Sequence, residues 1–221
     1  MVELQSSKLV MRVRFPLPAP SMNVCHEHKT ILWLPQKTAS RTICKQFQHY
    51  NFLNYTGTPP YPIKDTQYSH VLTVPEGCEN YEIICAVRNP FSWVLSIWHY
   101  EYYYPEKMDV YLDIKTFSDY LESERSLLEE IYDYIKDVDI KYVIKYENLK
   151  EDLSKIPWFE FDKNQDFVFT QNFYQSDYLF RDKKNKLSSN YKLYYTEKCI
   201  KNVQRKYSDL FKKFNYSLNI V

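Results

Sequence analysis

Short apolar runs bounded by turn residues alternate with longer amphipathic stretches along most of this chain. The apolar runs are rich in β-branched residues, which is typical of buried strands, whereas the amphipathic stretches repeat at the helical period. The predicted strands span 30–34, 70–74, 81–87 and 140–145. The predicted helices span 40–50, 90–104, 116–135, 147–156 and 195–214. This alternation predicts an α/β fold with three layers, in which a mostly parallel sheet carries helices on both faces.

Two proline-rich stretches are predicted to lack regular structure. Residues 54–65 are predicted to form a loop. Residues 11–20 read MRVRFPLPAP, and their prolines exclude a regular helix or a central strand. Because this composition differs from the Lys-, Asn- and Tyr-rich remainder, we predict a disordered or non-native extension over 1–24 and one domain over 25–221. Met22 would then be an alternative start, and a proline-rich docking peptide is the alternative interpretation.

Composition limits the classes of function that need to be considered. Hydrophobic residues make up 44% and charged residues 26%, which fits a globular domain with a core. The net charge of +1 argues against a nucleic-acid partner. No apolar run is long enough to cross a bilayer, and no charged segment leads into an apolar one, so we predict no membrane span and a cytoplasmic location. The oligomeric state is not predicted.

The number and spacing of the cysteines also favour a cytoplasmic location. The chain has 5 cysteines at scattered spacings, which suits reduced thiols in a cytosol-like compartment. The stretch 25–28 reads CHEH, but it lacks a second pair of ligands at the spacing of a zinc site. We therefore predict no metal site.

The stretch 34–42 combines the features of an anion-binding loop. It reads LPQKTASRT, follows a predicted strand and opens a predicted helix. Backbone N–H groups at a helix N-terminus favour an anion, and neighbouring hydroxyls and cations add charge-assisted hydrogen bonds. The pattern G-x-x-x-x-G-K-[ST] of phosphate-binding loops is missing, which counts against a nucleotide kinase. A capped helix with exposed cations is the other interpretation of this stretch taken alone.

A second stretch has the same position after the next strong strand. Arg88 ends the strand, Asn89 and Pro90 follow, and Ser96 lies further along the predicted helix. The planar guanidinium of arginine suits phosphate oxygens. A structural salt bridge is the alternative role for Arg88.

Together the two loops resemble the two donor-binding signatures of the sulfotransferase superfamily. The first resembles P-K-T-x-[ST]-[ST], which holds the 5′-phosphosulfate of 3′-phosphoadenosine 5′-phosphosulfate (PAPS), and the second resembles R-[DN]-P followed by Ser, which holds the 3′-phosphate. The stretches 116–121, 142–149 and 194–216 are similar to segments of the carbohydrate branch. The resemblance covers about 30–216. The chain departs from the family pattern at Gln36, which is inserted between Pro and Lys, and at Asn215, where Gly is usual.

The resemblance implies a P-loop NTPase-like sulfotransferase fold and PAPS-dependent transfer of a sulfuryl group to an acceptor hydroxyl, with a saccharide as the acceptor. It implies no metal. Lys37 would stabilise charge on the leaving group. A polar segment that includes Ser189 would fold over the nucleotide, and a solvated loop is the other interpretation of that segment. The residues implied to bind the donor are Lys37, Thr38, Ala39, Ser40, Arg41, Thr42, Arg88, Ser96, Ser189 and Lys192.

An acceptor hydroxyl also needs a general base, and histidine suits working pH. His26 and His28 precede the first predicted strand, at the wrong end of the sheet, and His49 and His99 fall inside predicted helices. His70 lies ahead of the second loop, which is similar to the placement of the base in hexuronic-acid 2-O-sulfotransferases. A carboxylate base stays open, as does an ordinary structural role for this histidine.

Two other classes of function compete with this interpretation. A kinase-like phosphotransferase on the same fold would need an acidic strand end for Mg²⁺ and the glycines that are missing. A non-catalytic nucleotide-binding protein would not need Lys37 at the bridging oxygen. A lipid, a peptide or a small metabolite also remains open as the acceptor.

Overall fold

The computed structural model describes residues 22–47, 49–55, 61–62, 74–103, 116–122, 135–161 and 191–220. The strands are β1 (Met22–Cys25), β2 (Thr30–Trp33), β3 (Leu53–Tyr55), β4 (Tyr61–Pro62), β5 (Glu82–Val87) and β6 (Tyr142–Lys145). The helices are α1 (Ser40–Gln46), α2 (Pro90–Tyr103), α3 (Phe117–Glu122), α4 (Leu149–Leu153), α5 (Glu197–Lys206) and α6 (Ser208–Lys213). Short 3-10 turns cover Tyr146–Asn148 and Tyr191–Tyr194.

The described strands form one mixed sheet in the order β4-β3-β1-β2-β5-β6. The pairs β2–β5 and β5–β6 are parallel, whereas β1–β2, β1–β3 and β3–β4 are antiparallel. The α/β class is therefore present, but the expectation of a mostly parallel sheet is wrong for this part of the chain. The cause is local, because the tight turn over 26–29 returns the chain beside itself, and such a turn can join only antiparallel strands.

Side chains of the sheet alternate between two apolar clusters on its opposite faces. Cys85 and Val87 of β5 point into a cluster with α2, α3, α5 and α6. Ile84 and Ala86 of the same strand point into a second cluster with α1 and α4. Because both faces of β5 are covered by helices, this strand is apolar from its second residue to its end rather than alternating, as the sequence pattern indicated.

The ordered domain begins closer to the N-terminus than the predicted boundary at residue 25. The strand β1 begins at Met22, inside the range 1–24 that was predicted to be an extension, and Val24 is fully buried between sheet and loop. The predicted loop over 54–65 is also partly wrong, because it contains the end of β3 and all of β4. These short strands carry little apolar periodicity of their own, and β3 forms by pairing with β1 while β4 forms by pairing with β3.

The predicted helices agree with the structure in place but not always in length. The helix predicted over 195–214 is interrupted at Tyr207, whose φ of −116° and ψ of 26° lie outside the helical region. Of the helix predicted over 116–135, the central part lies outside the described residues, as does nearly all of the strand predicted over 70–74.

Two truncated chains test the corrected boundary. We expect a chain starting at Met22 to melt at the same temperature as the full chain, because the residues before it have a composition unsuited to a core. A chain starting at His26 should fail to unfold cooperatively, since it loses the strand between β2 and β3 and the fully buried Val24 and Cys25. Thermal unfolding followed by circular dichroism measures both. Equal melting of the two truncated chains would show that β1 is dispensable.

Candidate functional site

The three parallel strands end at one edge of the sheet. Trp33 of β2 lies opposite Cys85 of β5, and Val87 of β5 lies opposite Lys145 of β6. The segments that follow these strands therefore start side by side, and they include both stretches that the sequence singled out. Carboxyl ends of parallel strands are the usual position of ligand sites in such sheets.

The first loop has an unusual backbone. Lys37 and Ala39 adopt left-handed conformations with φ of 66° and 67°, although neither is glycine. Each such residue costs roughly 1–2 kcal/mol, so contacts elsewhere must hold the loop in this shape. One of them is local: the Thr38 hydroxyl, which is fully buried, donates a hydrogen bond of 2.6 Å to the Pro35 carbonyl oxygen.

One side chain of the second loop and one from the first turn of α2 hold the first loop in place. The Arg88 guanidinium donates through Nη1 to the Lys37 carbonyl oxygen at 3.2 Å. The indole of Trp93 donates through Nε1 to the Gln36 carbonyl oxygen at 2.8 Å. Both bonds end on consecutive carbonyl groups of the first loop, so the two loops form one unit across the edge of the sheet.

Arg88 itself is held in a defined orientation. It is 4% exposed, and its Nε donates to the Ser92 hydroxyl at 2.9 Å. Ser92 in turn donates to the Asn89 carbonyl oxygen at 3.1 Å. The guanidinium carbon lies 4.2 Å from the centre of the Tyr146 ring, a cation–π contact. A buried arginine whose planar guanidinium is fixed on several sides is preorganised to donate to the oxygens of an anion.

The segment after β6 completes this edge. Glu147 accepts the Asn89 backbone N–H through Oε1 at 2.9 Å and the Tyr216 hydroxyl through Oε2 at 3.0 Å. Burial and then the Glu147 carboxylate raise the pKa of the Tyr216 hydroxyl well above its usual range, so the hydroxyl stays a donor at every working pH. The C-terminal segment is thereby joined to the second loop.

Comparisons with protein-family models, with curated proteins and with solved structures found no match for this chain. The assignment of residues to roles therefore depends on the geometry of the site and on the motifs.

The structure brings together part of the predicted donor site. Lys37, Thr38, Ala39, Ser40 and Thr42 surround the start of α1, and Arg88 contacts their loop. Ser40 and Ser96 are both buried polar residues. The Thr38 hydroxyl donates its proton to the Pro35 carbonyl oxygen, so in this conformation it stabilises the loop and does not donate to an anion.

The remaining predicted residues are only partly described. Lys192 is exposed in the turn Tyr191–Tyr194, and the Tyr195 hydroxyl that follows donates to the Phe91 carbonyl oxygen at 2.6 Å. This bond attaches the segment to the start of α2, next to the second loop. His70, Ser189 and the side chain of Arg41 lie outside the described residues.

Sequence reasoning missed four residues of this edge. Ser92 and Trp93 follow Pro90 in the first turn of α2, and their spacing from Arg88 was the available signal. Glu147 and Tyr216 belong to stretches whose resemblance to the family was noted without a role. Their function as a connection between strand ends has no local signature, because they are separated by 69 positions in the chain.

Two of the described histidines lie away from this edge. His26 and His28 occupy the turn between β1 and β2, at the opposite end of β2 from the first loop, and His28 stacks on Trp158 with ring centres 4.0 Å apart. Within the described ranges no three metal-ligating side chains come together. No helix in the same ranges is long and apolar enough to cross a membrane.

Burial raises the pKa of the Cys44 thiol to about 12, which predicts a dependence of stability on pH. The unfolded thiol loses its proton above pH about 9, while the folded one keeps it, so the folded state binds more protons and stability falls as pH rises from about 9 to 12. For Cys44 the slope should approach about 1 kcal/mol per pH unit. Urea unfolding of the wild type and of Cys44→Ala across this range measures the difference, and parallel curves for the two proteins would contradict it.

Proposed function

We propose that this protein is a PAPS-dependent sulfotransferase that transfers a sulfuryl group to the hydroxyl of a saccharide acceptor, on a P-loop NTPase-like sulfotransferase fold. The observation that carries the proposal is the 3.2 Å hydrogen bond from Arg88 to the Lys37 carbonyl oxygen. It joins the two stretches with sulfotransferase-like motifs, which are 51 positions apart in the chain, at the carboxyl edge of two adjacent parallel strands.

The donor carries anionic groups at two positions, and the two loops supply cations at two positions. In the proposed assignment, the first loop holds the 5′-phosphosulfate with Lys37, Ser40 and Thr42. Arg88 and Ser96 hold the 3′-phosphate. Ser92 orients Arg88, because its hydroxyl is 2.9 Å from the guanidinium Nε.

Sulfuryl transfer resembles phosphoryl transfer in that positioning and charge stabilisation provide most of the catalysis. The acceptor oxygen attacks sulfur in line, the bond from sulfur to the bridging oxygen breaks, and adenosine 3′,5′-bisphosphate leaves. Negative charge grows on the bridging oxygen, where the Lys37 ammonium would stabilise it. A general base takes the proton of the acceptor hydroxyl, and His70 is the candidate from the sequence.

Nucleotide binding tests the proposed roles of the two loops. Adenosine 3′,5′-bisphosphate would contact both loops, and at 100 times its dissociation constant it should stabilise the full chain by about 2.7 kcal/mol by mass action. The comparison is made with the monophosphate at the same concentration. Adenosine 5′-monophosphate lacks the 3′-phosphate and should shift the melting temperature much less. Equal shifts for the two nucleotides would contradict the assignment of Arg88 and Ser96. A larger shift with ATP and Mg²⁺ would favour the kinase-like alternative.

Arg88→Lys provides the matched variant for this titration. It keeps the charge but loses the planar fork, so the advantage of the bisphosphate over the monophosphate should shrink by roughly tenfold. Lys45→Gln, an exposed change in α1, is the control and should leave both shifts unchanged. Tight bisphosphate binding without transfer from radiolabelled PAPS to any acceptor would support the non-catalytic alternative instead.

A further inference from the structure

The residue inserted between Pro35 and Lys37 is held by a tryptophan. The Gln36 carbonyl oxygen accepts the indole Nε1–H of Trp93 at 2.8 Å. Trp93 lies in the first turn of α2, and its side chain is fully buried. An indole N–H can only donate, and a buried one usually has an acceptor. The acceptor here belongs to the residue by which the first loop is longer than the motif that it resembles.

Two hydrogen bonds hold the peptide groups on either side of the Lys37 Cα atom. Trp93 holds the preceding peptide group through the Gln36 carbonyl oxygen. Arg88 holds the following one through the Lys37 carbonyl oxygen at 3.2 Å. Because each peptide group is planar, the orientations of the two planes determine φ and ψ of the residue between them. The two donors therefore set the left-handed φ of 66° at Lys37, and with it the direction of its Cα–Cβ bond.

The left-handed conformation of Lys37 depends on both bonds. A residue other than glycine is strained in this region, and the strain is of the same order as the net contribution of one hydrogen bond. The bond from the Thr38 hydroxyl to the Pro35 carbonyl oxygen acts on neither peptide group beside the Lys37 Cα atom. Loss of the Trp93 donor would therefore release Lys37 toward an ordinary backbone conformation, in which its side chain points in another direction.

We propose that Trp93 is a positioning residue, which accommodates the inserted Gln36 and directs the Lys37 ammonium group to the bridging oxygen of the donor. The consequence for turnover rests on the proposed function, whereas the effect on the backbone of the first loop does not. Trp93 is fully buried, so it acts through Lys37 and does not itself contact the donor or the acceptor. A misplacement of about 1 Å at a catalytic group can cost roughly 10²-fold in rate.

Hydrogen exchange of the ligand-free protein tests the effect on the loop. Trp93→Phe removes the indole donor and keeps an aromatic ring in the core. The backbone amides of residues 36–39 should then exchange roughly three- to tenfold faster, the scale of losing one hydrogen bond. Trp98→Phe is the matched control, because Trp98 lies in the same helix and its ring packs on Phe117 with centres 5.4 Å apart. The control should change these rates by less than about twofold.

A second variant covers the case in which Trp93→Phe does not fold. Replacement of Trp93 by benzothienylalanine puts sulfur in place of the indole N–H and keeps the size of the side chain. It removes the donor without leaving a cavity in the core, and it should give the same acceleration of exchange. Mass spectrometry of the exchanged protein measures the rates in both variants.

Steady-state transfer from PAPS tests the consequence for Lys37. Trp93→Phe should lower kcat at least about tenfold. The KM for PAPS should change by less than about threefold, because Arg88 and Ser96 still hold the 3′-phosphate. In the Lys37→Ala background, Trp93→Phe should lower kcat by less than about a further twofold, because the side chain that Trp93 positions is already missing.

Three results would overturn the proposal. They are unchanged exchange of residues 36–39 in the variants without the indole donor, a loss of kcat in Trp98→Phe as large as in Trp93→Phe, and full multiplication of the two losses in the double variant with Lys37→Ala. Failure of the proposed function gives a different result. The wild type would then show no transfer from PAPS, while exchange of the loop would still accelerate in Trp93→Phe.

Discussion

Lys37→Ala is expected to lower the turnover of sulfuryl transfer by roughly 10²-fold or more, the scale of losing one transition-state stabiliser. The ammonium group would neutralise charge on the bridging oxygen as the bond to sulfur breaks. The fold should survive, because the contact with Arg88 uses the backbone carbonyl oxygen of residue 37, which alanine retains. Alanine also tolerates the φ of 66° about as well as lysine does, since neither is β-branched.

Steady-state kinetics with PAPS measure the effect of Lys37→Ala. Lys45→Ala serves as the control, since Lys45 is exposed in the last turn of α1 and should be silent. The melting temperature of both variants should stay close to that of the wild type. Unchanged turnover in Lys37→Ala would mean that the inserted Gln36 shifts the register of the motif, and Arg41 would become the next candidate for the cation.

His70→Ala is expected to lower kcat by roughly 10²–10⁴-fold, the usual contribution of a general base. The structure strengthens the elimination of two other histidines, because His26 and His28 lie at the opposite edge of the sheet from Lys37. His26 is engaged with the Tyr81 hydroxyl at 2.8 Å. His49 is exposed beside Tyr50 in the segment that follows α1, and the centres of the two rings are 4.1 Å apart.

The pH profile distinguishes a base from a structural histidine. A base acts when deprotonated, so the wild-type rate should rise with pH through a pKa near the reference of about 6.5 and then level off. That limb should vanish in His70→Ala, while the affinity for the donor barely changes. His28→Ala is the control and should keep the limb. Near-normal kcat with an unchanged profile in His70→Ala would make His70 structural, and the base would be sought among carboxylates.

The sequence by itself determined the elements that lie deepest in the fold. The continuous apolar run of β5 and the proline at the start of α2 predicted a strand, a turn and a helix, and the structure has them at Glu82–Val87 and Pro90–Tyr103. The same reasoning located both loops at strand ends. These features can be predicted locally, because burial on both faces requires a continuous run of apolar residues and proline fixes its own φ.

Strand pairing and the contacts between loops were decided only by the tertiary structure. The strands β1, β3 and β4 are too short and too mixed in polarity to have a periodicity of their own, so they exist because each finds a partner. In the same way, the loop with left-handed backbone at Lys37 and Ala39 accepts hydrogen bonds from Arg88 and Trp93, which lie far along the chain. Local composition encodes dihedral preference and burial, whereas a hydrogen bond across 51 positions depends on where the whole chain brings its segments together.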